Sequence, residues 1–460
     1  MRMILFSSML LIALISFASS EAADKQIDFR SLEACIQEEL IQSNTTGVAF
    51  AIVSGDKVIF AKGFGRDFET GTPITSDSQF ALGSTTKVFT AYTLLALAED
   101  GKIDINQPIG RHASGLSPRF ANVTAAQLLS HTAGLKDWDP SQVMDLIKRQ
   151  QASDPGRYLR SLNDSSFFTQ PGEIFSYSNP GFNIAGFLIS EVGGKPYVEA
   201  VMKKMLKPLG MNNTTLNSTI DPSVAFWPCG SMVSTAEDMA QLAIAFINKG
   251  SIDGKQVLSP TVIAQMATPR IEILGSPRKI EYGYGLFIEN STGMRIIGHE
   301  GNAEHFTSIF QMVPERRFGL IILSNAFESE FPNSTRKAYE LVLGIKPELL
   351  SEFKPQTMSQ SEMARYVGMY SQYPHMSYNI QEMQGKLFLN VTNPALNMTG
   401  KVLPMEKVGE NMFAIDITLP GTSTVRRGYI GLVPGKDGEI EYLVRGDRAY
   451  GKIRAPPGRH

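Results

Sequence analysis

The sequence predicts an α+β fold: an antiparallel sheet flanked by helices, with an all-helical insertion, followed by a small all-β barrel at the C-terminus. Three observations predict it. Strand-like runs open the chain, give way to a helical and loop-rich middle, and then return as a meander. A single antiparallel sheet built from both ends of a domain satisfies that order. After Gly344 the composition shifts, and short strand-like runs recur at regular spacing.

Arg30 to Gln42 reads as an amphipathic helix. Gly47–Val53 and Val58–Phe64 are apolar runs separated by the turn residues Ser54-Gly55-Asp56-Lys57, a hairpin pattern. A helix follows from about Ser84 to Ala98, stopped by Glu99-Asp100-Gly101. From about Ile109 to Gly250 the chain reads as helices and loops. Ser234-Thr235-Ala236-Glu237 has the spacing of a capping box opening a helix over Met239–Ile247. Tyr284–Ile288, Arg295–His299, Phe306–Val313 and Gly319–Leu323 read as the meander, and Lys337–Leu343 as a closing helix. These elements define a main domain over 27–345.

Residues 346–362 hold prolines and polar residues and read as a linker. A barrel domain is expected over 363–456. Its strand-like runs are Leu387–Val391, Met412–Ile417, Gly428–Val433, Glu439–Val444 and Ala449–Ile453.

The chain has 460 residues, too many for one average domain. Its 43% hydrophobic and 19% charged content describe a globular protein with a sizeable core. The net charge is −2 and no basic run stands out, so no nucleic-acid partner is expected. Arg2 followed by the mainly apolar Ile4–Ala18 reads as a signal peptide over 1–20, with small residues for cleavage near Ser20 or Ala22. The apolar stretch is short for a membrane span, so no stable anchor is expected. Asn44, Asn122, Asn163, Asn212, Asn213, Asn217, Asn290, Asn333, Asn390 and Asn397 all begin Asn-x-Ser/Thr without an intervening proline. That is about half the asparagines, against roughly a sixth by chance, and it predicts a glycosylated, secreted, extracellular protein. Cys35 and Cys229 are the only cysteines, which excludes a disulfide-dense scaffold and leaves one bridge or two thiols.

Three clusters carry candidate chemistry. Ser84-Thr85-Thr86-Lys87 sets a hydroxyl and an amine one helical turn apart, so they share a face. A serine needs a neighbouring base to become a nucleophile, and an amine kept neutral by burial can serve. Tyr177-Ser178-Asn179 follows Pro171-Gly172 and offers a phenol to relay protons and an amide to hold a substrate. In Gly298-His299-Glu300-Gly301-Asn302, His299 and Gly301 share one face of a strand. Glycine there admits close backbone approach, and an N–H near Asn302 can face an oxyanion. His299, Glu300, Glu304 and His305 lack the i, i+4 histidine spacing of a helical zinc motif, so no metal and no cofactor is expected.

Taken in order, Ser84-x-x-Lys87, Tyr177-x-Asn179 and His299-x-Gly301 resemble the motifs of the serine β-lactamase and penicillin-binding-protein superfamily. The match is best to the class C-like branch with D-aminopeptidases, D-alanyl-D-alanine carboxypeptidases and family VIII esterases. Supporting stretches are Leu128–Leu135, Gly230–Thr235 and Leu323-Ser324-Asn325-Ala326, and the resemblance covers about Phe29 to Gly344. Tyr366-Val367-Gly368-Met369-Tyr370 resembles the opening of the lipocalin-like barrel appended to some relatives.

The resemblance implies a serine hydrolase acting through an acyl-serine intermediate on a small peptide or ester. Ser84 would be the nucleophile, with Lys87 and Tyr177 sharing the base and relay work. Ser84 and Asn302 would supply the oxyanion N–H groups. Asn179 would orient the substrate and His299 would meet a substrate carboxylate. His131 is expected to be structural. Glu304-His305-Phe306 stands where many relatives carry glycine, and it is expected to narrow the cleft. The competing expectation is a secreted, glycosylated extracellular-matrix or structural protein that keeps the fold with little or no catalysis.

Overall fold

The computed structural model describes residues 27–138, 153–216, 224–290, 293–345, 353–373, 375–393, 398–418 and 425–453. The expected signal peptide, Asn217 and Asn397 lie outside the described residues, as do 346–352 of the expected linker. No helix among the described residues is long and apolar enough to cross a membrane.

Among the described residues the main sheet has eight antiparallel strands. Their spatial order is Lys57–Gly65, Gly47–Ser54, Phe318–Ser324, Phe306–Val313, Ile296–Ala303, Phe287–Glu289, Ile280–Tyr282 and Ile271–Ile273. The first hairpin pairs with the last strand, Ala49 opposite Leu323, so both ends of the domain share one sheet. Strand Gly47–Ser54 is a continuous apolar run because helices cover both of its faces. Val48, Phe50 and Ile52 join the core beneath helices Arg30–Gln42 and Pro332–Leu343. Ala49, Ala51 and Val53 join the larger core on the other side. The alternation is the two-residue period of a strand.

Helix Thr86–Glu99 belongs to that larger core, and every residue from Thr86 to Leu97 is buried. Its apolar character on all sides is that of a helix surrounded by protein. Ser84 lies just before it, in a single 3-10 turn over Gly83–Thr85.

Three expectations need correction. The helix over Ala236–Ile247 is capped by Thr235, whose side chain accepts from Asp238 N, one residue later than the expected box. Ser234 instead belongs to a short strand opposite Phe80, and its hydroxyl bonds that of Thr214 at 2.7 Å. Tyr284–Leu286 is not strand. Gly285 there has φ +72°, and a Cβ would stand 2.7 Å from the Ala91 Cβ and 2.9 Å from Lys87 O, so the chain turns tightly against the nucleophile helix. The two edge strands Ile271–Ile273 and Ile280–Tyr282 extend the meander beyond the four expected strands.

The C-terminal unit is a nearly closed barrel. Among the described residues nine antiparallel strands are ordered Lys401–Pro404, Lys386–Thr392, Met376–Met383, Gly368–Tyr373, Arg448–Lys452, Ile440–Arg445, Val425–Pro434, Met412–Thr418 and Glu406–Gly409. The two outermost strands are consecutive in the chain, joined through Met405. Helix Gln360–Tyr366 crosses the expected boundary at 362/363, and its Met363 and Tyr366 pack into the barrel core.

The barrel docks on the main domain. Phe168 and Ile174 pack against Tyr442, Val444 and Ala449. Gly275 and Gly431 meet backbone to backbone, where a Cβ on Gly275 would stand 2.6 Å from Gly431 N.

Candidate active site

The three sequence clusters converge. Ser84 is half-buried at the start of its helix, and Lys87 one turn on is fully buried. Lys87 Nζ lies 3.0 Å from Ser84 Oγ, 2.8 Å from Asn179 Oδ1 and 2.6 Å from Cys229 O. Burial, opposed by the charges of Cys229 and Asp137, lowers the Lys87 amine to about 8. A neutral amine has two N–H donors and one lone pair. The Asn179 and Cys229 oxygens can only accept, so they take both donors. The lone pair is left for the Ser84 hydroxyl.

Asn179 is held in the orientation this requires. It opens helix Asn179–Gly193, whose N-cap Ser178 accepts from Gly181 N. Its Nδ2 donates to Asp137 Oδ1 at 3.0 Å, and its backbone N donates to the same oxygen at 2.9 Å. Both amide atoms are therefore engaged beside the base, with one N–H of the amide left over for a substrate.

Tyr177 is buried, and its hydroxyl has no hydrogen-bond partner among the described residues. Burial pushes its phenol well up, and Ser84 is the polar neighbour that favours the ionised form. Its ring lies 4.2 Å from that of His131, 4.8 Å from Lys87 Nζ and 5.1 Å from the Arg448 guanidinium. His131 accepts from Ser178 N at 3.0 Å and is buried among aromatic rings. It therefore holds the Tyr177 loop in place.

Strand Ile296–Ala303 completes the site. A Cβ on Gly301 would stand 2.0 Å from Leu82 O and 2.7 Å from Ser84 N, and one on Gly83 would stand 2.6 Å from Asn302 N. The two glycines thus let the backbones carrying the Ser84 and Asn302 amides come together. Thr85 and Ser308 share a 2.7 Å bond, and Ser308 donates to Leu82 O at 2.7 Å, tying the nucleophile turn to the sheet.

His299 differs from its expected role. It is 2% exposed, its Nδ1 lies 2.6 Å from Glu300 O, and its Nε2 lies 3.2 Å from the Tyr282 hydroxyl. A carbonyl only accepts, so Nδ1 carries the proton and Nε2 accepts from Tyr282. Burial, with the Lys87 charge adding to it, lowers His299 to about 3. It is neutral and has no spare nitrogen for a carboxylate. Glu304 and His305 are exposed at the turn that follows, with the His305 ring 5.5 Å from Phe68.

The sequence clusters did not reveal Asp137, Arg448 or Cys229 O. Asp137 lies two residues beyond the supporting stretch that ends Gly134-Leu135, and that proximity was the available signal. Arg448 is separated from Asp137 by 311 residues and carries no local signal. Cys229 contributes through its carbonyl, and no disulfide joins it to Cys35. A cavity of about 800 Å³ lies between the site and the barrel, with Asp137, Phe287, Tyr378 and Arg448 among its walls.

Known proteins share this architecture. The chain is similar to Protein flp of Staphylococcus aureus strain MW2, at 22% identity over 380 residues covering 75% of this chain and 74% of the relative. It is similar to Penicillin-binding protein 4* of Bacillus subtilis strain 168, at 24% over 389 residues covering 75% and 83%. The crystal structure of SurE with D-Leu superposes with a TM-score of 0.74 at 20% identity, covering 92% of this chain and 99% of that one, and shows the same fold. Residues 32–344, more than half of the sequence, match the family described as Beta-lactamase, and the chain belongs to that family.

Proposed function

We propose that this chain is a secreted serine hydrolase of peptidase or esterase type, cleaving amide or ester bonds through an acyl-serine intermediate. The observation that carries the reading is the Lys87 amine, buried and 3.0 Å from Ser84 Oγ, with its other two neighbours both obligate acceptors. Lys87 takes the Ser84 proton as the hydroxyl oxygen adds to the substrate carbonyl. The carbonyl oxygen becomes an oxyanion facing the N–H groups of Ser84 and Asn302. The Lys87 ammonium then returns the proton to the leaving group, directly or through Tyr177, and the acyl-serine forms. Water, deprotonated by the same amine, releases the acid. Tyr177 is a relay rather than the first base, because burial keeps its phenol protonated.

Neutral His299 supplies no charge for a substrate carboxylate. The name of the Bacillus subtilis relative and the D-Leu of SurE make a penicillin probe and D-amino-acid esters sensible first reagents. Secretion and glycosylation are supported by the apolar N-terminus and by exposure of seven sequon asparagines, Asn44, Asn122, Asn163, Asn212, Asn213, Asn290 and Asn333; Asn390 is half-buried.

The test is covalent labelling with a fluorescent acyl-phosphonate and a fluorescent penicillin. Label on the purified protein that disappears in Ser84→Ala supports the hydrolase. A folded, secreted protein that takes neither label favours the glycosylated structural or matrix reading.

A further inference from the structure

We propose that Arg448, carried by the barrel, is a positioning residue for the general base, acting on Lys87 through Asp137 and Asn179. This rests on the reading of Ser84 and Lys87 given above. Arg448 Nε lies 2.7 Å and Nη2 2.6 Å from Asp137 Oδ2. The other Asp137 oxygen accepts both bonds from Asn179. Those bonds fix which end of the Asn179 amide faces Lys87, with Oδ1 at 2.8 Å. Each link has one orientation that satisfies it. The guanidinium and the amide NH2 only donate, and the carboxylate only accepts. With Asp137 turned away, the Asn179 amide loses the partner that holds its NH2, and it can flip to aim a donor at the amine.

The barrel grips this region at several points. Tyr177 N donates to Asp447 O at 2.8 Å. Ser176 Oγ accepts from Ala449 N and from Gln372 Nε2, each at 3.2 Å. Gln372 Oε1 accepts from Asp137 N at 3.1 Å, and the Tyr373 hydroxyl donates to Asp137 O. Both strands of the barrel that carry these residues therefore touch the loop leading into Tyr177 and Asn179.

Charge makes the same link. The titratable groups facing Lys87 are the Cys229 thiol, Asp137, Asp447, Arg448 and the neutral Tyr177, His131 and His299, with the Cys229 carbonyl beside them. Arg448 lies between the two carboxylates, its Nη1 2.6 Å from Asp447 Oδ1. Without it, two uncompensated carboxylates favour the Lys87 ammonium, which has no lone pair for Ser84. Replacing Asp137 with an amide acts in the opposite sense, because Arg448 then faces Lys87 with one counter-charge fewer.

The experiment follows the rate of Ser84 labelling by a fluorophosphonate against pH in the full-length protein. Arg448→Gln is expected to move the acid limb up by about one pH unit, and Asp137→Asn to move it down by a similar amount. Arg448→Lys keeps the charge but not the fork; it is expected to restore the limb position while remaining about tenfold slower. Opposite shifts are not expected from residues that only hold the fold together. Limbs of Arg448→Gln and Asp137→Asn that coincide with wild type, whatever the rate, overturn the proposal. If Arg448→Gln does not fold, Arg448→Lys and Asp137→Asn decide it, and an unmoved limb in Asp137→Asn is sufficient to overturn it. Labelling that survives Ser84→Ala overturns the hydrolase reading as well. Labelling confined to Ser84 with unmoved limbs overturns this proposal alone.

Discussion

The Asn179 side chain bonds Lys87 through its oxygen and Asp137 through its nitrogen, at 2.8 and 3.0 Å. A donor and an acceptor on one amide are thus fixed by a carboxylate on one side and read by an amine on the other. The expected substrate-binding asparagine is, in this geometry, part of the apparatus that sets the proton inventory of the base.

Gly301 has no room for a side chain. Its Cβ would stand 2.0 Å from Leu82 O and 2.7 Å from Ser84 N, both backbone atoms that cannot swing aside. Gly301→Ala should displace the strand from the nucleophile turn and slow Ser84 labelling by about 100-fold, the loss typical of a removed oxyanion donor. Thermal unfolding should show a lower Tm from the overpacking. Labelling within a few-fold of wild type would show that the strand does not form the oxyanion site.

His299 should not titrate between pH 5 and 9. Its folded-state value is lowered to about 3, so it is neutral throughout that range. Substrates with and without a free carboxylate should then share one pH dependence of KM. His299→Gln should leave that dependence unchanged while costing some stability through the lost Tyr282 bond. A KM for carboxylate substrates that rises as pH passes 6 to 7, and stops doing so in His299→Gln, would restore the cationic role.

Glu39 joins the first and last helices of the main domain. It is buried and accepts from Asn333 N at 2.7 Å and Ser334 N at 2.9 Å, closing the N-terminus of helix Pro332–Leu343. Glu39→Ala leaves those donors without partners, which costs about 1–3 kcal/mol. Chemical denaturation should read that loss in the midpoint with an unchanged slope. Because the contact lies on the far side of the sheet from Ser84, labelling rates should stay the same.

Expression in a eukaryotic secretory host should yield a protein that starts near Glu21 or Ala23 and loses mass on glycosidase treatment. Glycopeptide mapping should find sugar at exposed asparagines such as Asn44, Asn122 and Asn163. Retention of Met1 with no mass shift would remove the secretory reading.

Much of the fold was legible because its signals are local. Helix Arg30–Gln42 and strand Phe306–Val313 lie where their hydrophobic periods put them. The meeting of Ser84 and Lys87 follows from helical spacing alone. The short strands Ile271–Ile273 and Ile280–Tyr282 were not legible, since three residues cannot display a period. The N-cap was misplaced by one residue because Ser234 and Thr235 are equally good caps. Pairing of Ser234 with Phe80, a contact made across the fold, settled which one served. The roles of Asn179 and His299 were hidden for a related reason. Asn179 is engaged by Asp137, His299 by Tyr282, and neither partner adjoins it in the chain. Arg448 was the least legible of all, because its only meaning comes from docking a second domain onto the first.

The most direct test is the pH dependence of the rate at which Ser84 is labelled, from pH 6 to 10, in wild type and Lys87→Met. The reactive form is the neutral amine, and burial lowers Lys87 to about 8. The rate should therefore rise about tenfold per unit below pH 8, turn over near 8 and become level above it. Lys87→Met should lose about 1,000-fold or more while remaining folded. A wild-type rate that is flat across this range, or a Lys87→Met rate within tenfold of wild type, would contradict Lys87 as the base for Ser84.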